Sequence, residues 1–81
     1  MVSVKEYILL ALLVEEEMTS TEIIDTVKKM GEDDGRNITV AQIYARLYEL
    51  KKDGYIAKKT VTYKLTEMGR EAAENVVKSI A

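Results

Sequence analysis

The sequence predicts an α+β fold, mainly α, in the order α-α-(β)-α-β-β-α, and three observations carry that expectation. Three S/T-x-x-E/Q capping boxes, Ser3 with Glu6, Thr19 with Glu22 and Thr39 with Gln42, mark helix starts. Apolar residues recur at helical spacing behind each of them and again behind Thr66. One stretch, Tyr55–Leu65, is instead rich in β-branched and aromatic residues, with Val61, Tyr63 and Leu65 alternating.

The first helix is expected from about Val4 to Glu16. Its apolar set is Tyr7, Ile8, Ala11, Leu12 and Val14, supplemented by Leu9, Leu10 and Leu13, and a surface that broad implies burial on several sides. A second helix starts near Ser20 and turns Ile23, Ile24 and Val27 inward. Lys28 and Lys29 suit its C-terminal dipole, and Gly31 is the expected C-cap. Residues 31–37 hold no apolar side chain and read as a loop, with room for a short strand at Asn37-Ile38. In the third helix Val40, Ile43, Leu47 and Leu50 form one stripe, Lys51 and Lys52 complement the C-terminus, and Gly54 ends it. A tight hairpin then turns near residues 59–61. The fourth helix, 67–80, carries Ala72, Ala73, Val76, Val77 and Ile80, with Thr66 as its N-cap.

Eighty-one residues suit one domain spanning 1–81. The chain has no Cys and no His, which excludes disulfides, thiolate metal sites, cysteine nucleophiles and the usual general base near neutral pH. No enzymatic activity and no cofactor are expected. The longest apolar run, Ile8–Val14, is far below the ~18 residues of a membrane span. No cleavage site follows it, so the reading is a cytoplasmic protein without a membrane partner. The Asn37-Ile38-Thr39 sequon is then a chance match.

Charge is segregated along the chain. Residues 36–64 hold seven cations against Glu49 and Asp53, a net +5, which leaves −7 for the rest of a chain whose total is −2. Helices two and three followed by a hairpin make a winged helix-turn-helix, in which the second helix of the pair enters the major groove of DNA. Helical stepping puts Val40, Ile43, Leu47 and Leu50 toward the core. Ala41, Gln42, Ala45, Glu49 and Lys52 then face outward, with Arg46 and Tyr48 on the flanks. Two small residues on that face permit close approach to base edges, while Gln42 and Arg46 have the donors and acceptors to read adenine and guanine. Tyr44 lies close to the core stripe, with its hydroxyl within reach of a phosphate. Thr19, Ser20 and Thr21 offer hydroxyls and free N–H groups at a helix start, and Lys58, Lys59 and Lys64 on the hairpin form a basic wing.

The segments Tyr7-Ile-Leu-Leu-Ala-Leu-Leu, Met18-Thr-Ser-Thr-Glu-Ile23, Val40-Ala-Gln-Ile-Tyr44-Ala-Arg-Leu47, Asp53-Gly-Tyr-Ile56 and Tyr63-Lys-Leu-Thr-Glu-Met-Gly-Arg70 together resemble the PadR-type winged-helix transcription regulators. The resemblance implies sequence-specific binding of double-stranded DNA by a homodimer, usually in repression, with a C-terminal helix making the dimer contact. By that analogy Thr39, Gln42, Tyr44 and Arg46 match recognition-helix positions and Lys58 and Lys59 match the wing. The chain departs from the family pattern in having Ser20 and Thr21 before Glu22-Ile23, Val40 and Ala41 at the start of the recognition helix, and a short wing tip. It ends at Ala81 without the longer C-terminal region of some members, so no small-molecule effector is expected.

Dimerisation also has a physical basis. Ala72, Val76 and Ile80 form one row of the last helix with Ala73 and Val77 beside it, and a domain this small cannot bury every row. The competing reading is a winged-helix protein–protein interaction module, served by the acidic runs Glu15-Glu16-Glu17 and Glu32-Asp33-Asp34. A hydrolase built on carboxylates alone is the remotest alternative.

Overall fold

A computed structural model describes residues 2–80, in the order α1 (Val4–Glu15), β1 (Glu17–Thr19), α2 (Ser20–Asp33), α3 (Val40–Lys52), β2 (Ile56–Lys59), β3 (Thr62–Leu65) and α4 (Glu67–Ile80). Each helix begins where local chemistry satisfies its free N–H groups. In all three capping boxes the N-cap hydroxyl accepts from the N3 backbone at 3.1–3.2 Å while the N3 side chain accepts from the N-cap backbone at 2.8–2.9 Å. Thr66 caps α4: its hydroxyl accepts from the Gly69 N–H at 3.1 Å and contacts the carbonyls of Gly54 and Tyr55 at 2.6 and 3.0 Å. One side chain therefore joins the end of α3 to the start of α4.

The helix α1 is the centre of the molecule, packing against α2, α3 and α4. Its Ile8 and Leu12 are completely buried with Ile23 and Val27 of α2, Ile43 and Leu47 of α3, Ile56 of β2 and Ala73 of α4. Burial of each large aliphatic side chain contributes about 1.5–3 kcal/mol, so this cluster dominates the stability. The breadth of α1's apolar surface is matched by burial of Tyr7, Ile8, Leu9, Ala11 and Leu12, but Val14 is 79% exposed, and Leu10 and Leu13 are half-buried.

The strands form one antiparallel sheet in the order β1-β3-β2. The hairpin turns at Thr60-Val61, within the expected 59–61, and the structure sets its register, with Ile56 paired to Leu65 and Lys58 to Tyr63. The third strand is not at Asn37-Ile38. It is β1, where Glu17, Met18 and Thr19 pair with Lys64, Tyr63 and Thr62. Ile38 instead buries its side chain in the core, at 3% exposure, from a loop without ladder hydrogen bonds.

That burial also explains why Gly31 does not cap α2. The helix runs on to Asp33, with Asp34 at the C-cap, and Gly31 is a buried helical residue. A Cβ on Gly31 would lie 2.6 Å from Ile38 Cδ1, so the glycine serves close approach of the returning loop. Its carbonyl accepts from Arg36 N at 2.7 Å, closing the turn toward α3. The pair α2 and α3 with the β2–β3 hairpin is a winged helix-turn-helix, and no helix among the described residues is long and apolar enough to cross a membrane.

Candidate nucleic-acid interface

The capping box at Thr39 starts α3 in the open: Thr39, Val40, Ala41 and Gln42 are all exposed, and burial begins only at Ile43. Ile43, Leu47 and Leu50 hold the helix on the core. The opposite face presents Ala41, Gln42, Tyr44, Ala45 and Tyr48 to solvent. Two expectations are corrected here. Val40 does not join the core stripe, being 39% exposed, and Tyr44 is not a core ring with a projecting hydroxyl, being 49% exposed. Helical phase places both near the core stripe, but packing does not cover them. Val40, Tyr44 and Tyr48 instead make an exposed row at i, i+4 and i+8.

Gln42 is partly committed. Its side-chain oxygen accepts from Thr39 N–H at 2.9 Å, leaving the amide NH2 as the free end. Arg46, half-buried, binds Glu49 one turn on at 3.1 Å, and Lys5 of α1 reaches the same carboxylate oxygen at 3.0 Å. Glu49, expected on the outward face, is instead half-buried between these two cations. Lys5, together with Arg46, holds its carboxyl below the ordinary carboxylate range.

Arg36 stands beside this cluster. Its guanidinium donates to the Val2 carbonyl and lies 5.5 Å from the centroid of the Tyr7 ring. Tyr7 in turn donates its hydroxyl proton to Asp34, which, with burial, raises the phenol above its usual range. These contacts staple the α2–α3 loop to the start of α1. Sequence reading passed over Lys5, which sits in the first helix with no local motif, and counted Arg36 only among the cations of residues 36–64 without assigning it to the site.

At the start of α2, Thr21 is exposed and Ser20 half-buried, while the Thr19 hydroxyl is taken by the cap. The hairpin cations do not form one group. Lys58 shares the sheet face of Ile56 and lies 5.5 Å from the centroid of the Tyr63 ring, whereas Lys59 and Lys64 point from the other face. Lys64 pairs in register with Glu17 of β1 and lines a groove with Glu15, Glu16, Glu17 and Arg70. It belongs to an acid-rich surface rather than to a continuous basic wing with Lys58.

On α4 the structure divides the residues expected in a dimer contact. Ala73 is fully buried and Val76 nearly so, both consumed by the chain's own core, and Ala72 is half-buried. Val77 and Ile80 remain exposed at 42% and 56%. Among the described residues no group of His, Cys, Asp or Glu is arranged to hold a metal ion.

Comparison with known proteins agrees with this architecture. The chain is similar in structure to Bacillus subtilis PadR, with a TM-score of 0.73 and 27% identity over 91% of this chain and 41% of that one. It therefore spans about two fifths of that protein's length. It is also similar to F-93 of SSV1, at TM-score 0.70 and 21% identity over 94% of this chain and 84% of that one. A transcriptional regulator from Clostridium thermocellum, Cth-833, aligns at TM-score 0.67 and 23% identity over 94% and 79%. These two likenesses concern the fold. No curated protein sequence matches the chain. The profile of the transcriptional regulator PadR-like family matches residues 9–75, which contain the helix-turn-helix, the hairpin and most of α4; the chain belongs to the PadR-like family of transcriptional regulators.

Proposed function

We propose that the protein is a sequence-specific binder of double-stranded DNA that acts as a transcriptional repressor, with α3 in the major groove and the β2–β3 hairpin on the flanking backbone. The observation that carries this reading is the outward face of α3. Ala41 and Ala45 keep it low, the free amide of Gln42 and the guanidinium of Arg46 supply donors for base edges, and Tyr44 and Tyr48 supply exposed rings and hydroxyls. Thr39, Ser20 and Thr21 border that face as backbone contacts, and Lys58 and Lys59 supply the cations of the wing. The family to which the chain belongs supports the same reading.

The working unit is a homodimer. Val77 and Ile80, with Ala72 at the edge, form the part of α4 that its own core leaves uncovered, and exposed Val14 adds to the apolar surface of α1. A two-fold dimer would set its α3 copies about 34 Å apart, one turn of DNA, and would bind a palindromic site.

Fluorescence anisotropy across a salt series tests the reading, comparing a random duplex with one taken from upstream of the protein's own gene. Binding of the upstream duplex about 1,000-fold tighter than the random one or better is expected. Absence of binding to either duplex at low salt would sink the DNA reading and leave the protein-interaction module in its place. Arg46→Glu should abolish specific binding while leaving the melting curve nearly unchanged.

A further inference from the structure

An open groove of about 330 Å³ lies between the start of α1 and the exposed side of α3, lined by Ser3, Val4, Lys5, Arg36, Gln42 and Arg46. Three of these six are cations drawn from three separate parts of the chain: α1, the α2–α3 loop and α3. We infer that this groove is a seat for one backbone phosphate of the DNA duplex, at the edge of the major groove that α3 enters. The inference rests on the DNA reading and adds to it a site that uses neither the wing nor the start of α2.

Three features of the groove argue for an anion. First, charge is in excess. Lys5 and Arg46 share a single carboxylate oxygen of Glu49, at 3.0 and 3.1 Å, and among the described residues Arg36 makes no ion pair, so even with the Glu6 carboxylate that caps the Ser3 N–H at the groove's end, one positive charge is left over. Second, the cations are placed by other contacts and need little ordering on binding. Glu49 holds Lys5 against Arg46, while the Val2 carbonyl and the Tyr7 ring hold Arg36, whose guanidinium carries five N–H donors in all. Third, the groove ends on the first turn of α1. The Ser3–Glu6 capping box occupies the N–H groups of Ser3 and Glu6 but not those of Val4 and Lys5, and the helix dipole is positive there.

The duplex backbone, rather than a free anion, is favoured by what shares the groove. Gln42 and Arg46 line it and also belong to the face of α3 that would meet base edges, so a phosphate seated here is continuous with that face. A diester carrying one negative charge fits a site open on one side, with Lys5 and Arg36 on the phosphate while the free NH2 of Gln42 stays turned to the base edges.

The test is anisotropy with a random-sequence duplex across a salt series, using the full chain, Lys5→Gln, and Lys29→Gln as a control on the exposed side of α2. Lys5→Gln is expected to weaken binding about 3- to 10-fold near 0.1 M salt and to lower the log K against log salt slope by about 0.9, one counterion's worth. Lys29→Gln should match the native chain in both, and all three should melt alike. Equal affinity and slope for Lys5→Gln and the native chain would overturn the phosphate seat while leaving the DNA reading intact. No binding by the native chain would overturn both. Inorganic phosphate provides a second arm: saturable amide shifts at Val4 and Lys5 at low millimolar phosphate, with an unchanged DNA salt slope in Lys5→Gln, would assign the groove to a free anion and overturn the duplex assignment.

Discussion

Tyr7 links two parts of the molecule that the sequence keeps far apart, donating to Asp34 beyond α2 and lying under the Arg36 guanidinium. A hydrogen bond to a charged acceptor contributes about 1.5–3 kcal/mol when buried, less at an exposed carboxylate such as Asp34. Tyr7→Phe should therefore cost about 1–2 kcal/mol in urea unfolding at pH 7. The phenol's pKa is raised in the folded chain, first by the bond to Asp34 and then by burial, so the folded state holds this proton more tightly than the unfolded one. The stabilisation is complete below the unfolded value of 10.0 and is lost as pH rises through the higher folded value. The difference in stability between the native chain and Tyr7→Phe should accordingly close in alkaline solution. Glu49 works in the opposite sense. Its lowered pKa means that its ion pairs persist in mildly acidic solution and are lost only as pH falls through that depressed value. Glu49→Gln removes the one carboxylate held between Lys5 and Arg46. Affinity for random duplex should rise about 1.5- to 5-fold, the range of an exposed ion pair, and unchanged or weaker binding would show that positioning by Glu49 outweighs its charge.

Among the elements, the junction of α3, β2 and α4 is the least tolerant of added volume. A Cβ on Gly69 would stand 1.8 Å from the Tyr55 carbonyl oxygen, a backbone atom that cannot swing aside. Gly69→Ala should destabilise the chain by about 1–3 kcal/mol or more, read as a lowered urea midpoint, because the first turn of α4 must lift from Tyr55 and loosen the Thr66 cap. The starts of α1, α2 and α3 were legible because an N-cap is a local device, a hydroxyl with a Glu or Gln three positions on, and that of α4 was marked by the Thr66 hydroxyl alone, ahead of Glu67. The strand β1 was not legible. Glu17-Met18-Thr19 has no alternation long enough to read, and it is a strand only because β3 arrives beside it from the far end of the chain. Gly31 looked like a helix terminus for a similar reason, since the sequence near it shows a glycine after a lysine pair and nothing of Ile38 packing onto it.

At the scale of the whole molecule, the proposed dimer depends on how one core shares out the apolar residues of α4. Ala73 and Val76 are spent on α1, and Val77 and Ile80 are left over. Ile80→Glu should leave the thermal melt almost unchanged and shift sedimentation from dimer to monomer at micromolar concentration. Val76→Glu should by contrast lower the melting temperature clearly, because it replaces a side chain buried beside Leu9 of α1 with a carboxylate. Retention of the dimer by both Ile80→Glu and Val77→Glu would remove α4 from the interface.

What the sequence determined by itself was everything governed by neighbours in the chain. Helix starts, the Ile43–Leu47–Leu50 stripe, a hairpin turning near residues 59–61, and the exposed Ala41, Gln42 and Ala45 all follow from spacing, capping and propensity. Tertiary structure alone decided which faces are covered. It left Val40, Tyr44 and Val14 in solvent, sent Lys64 to the acid-rich surface beside Glu17, and brought Lys5, Arg36 and Arg46 around one groove. The physical reason is common to all of these: burial and charge clustering depend on what lies opposite a side chain, and that is set by long-range packing around α1.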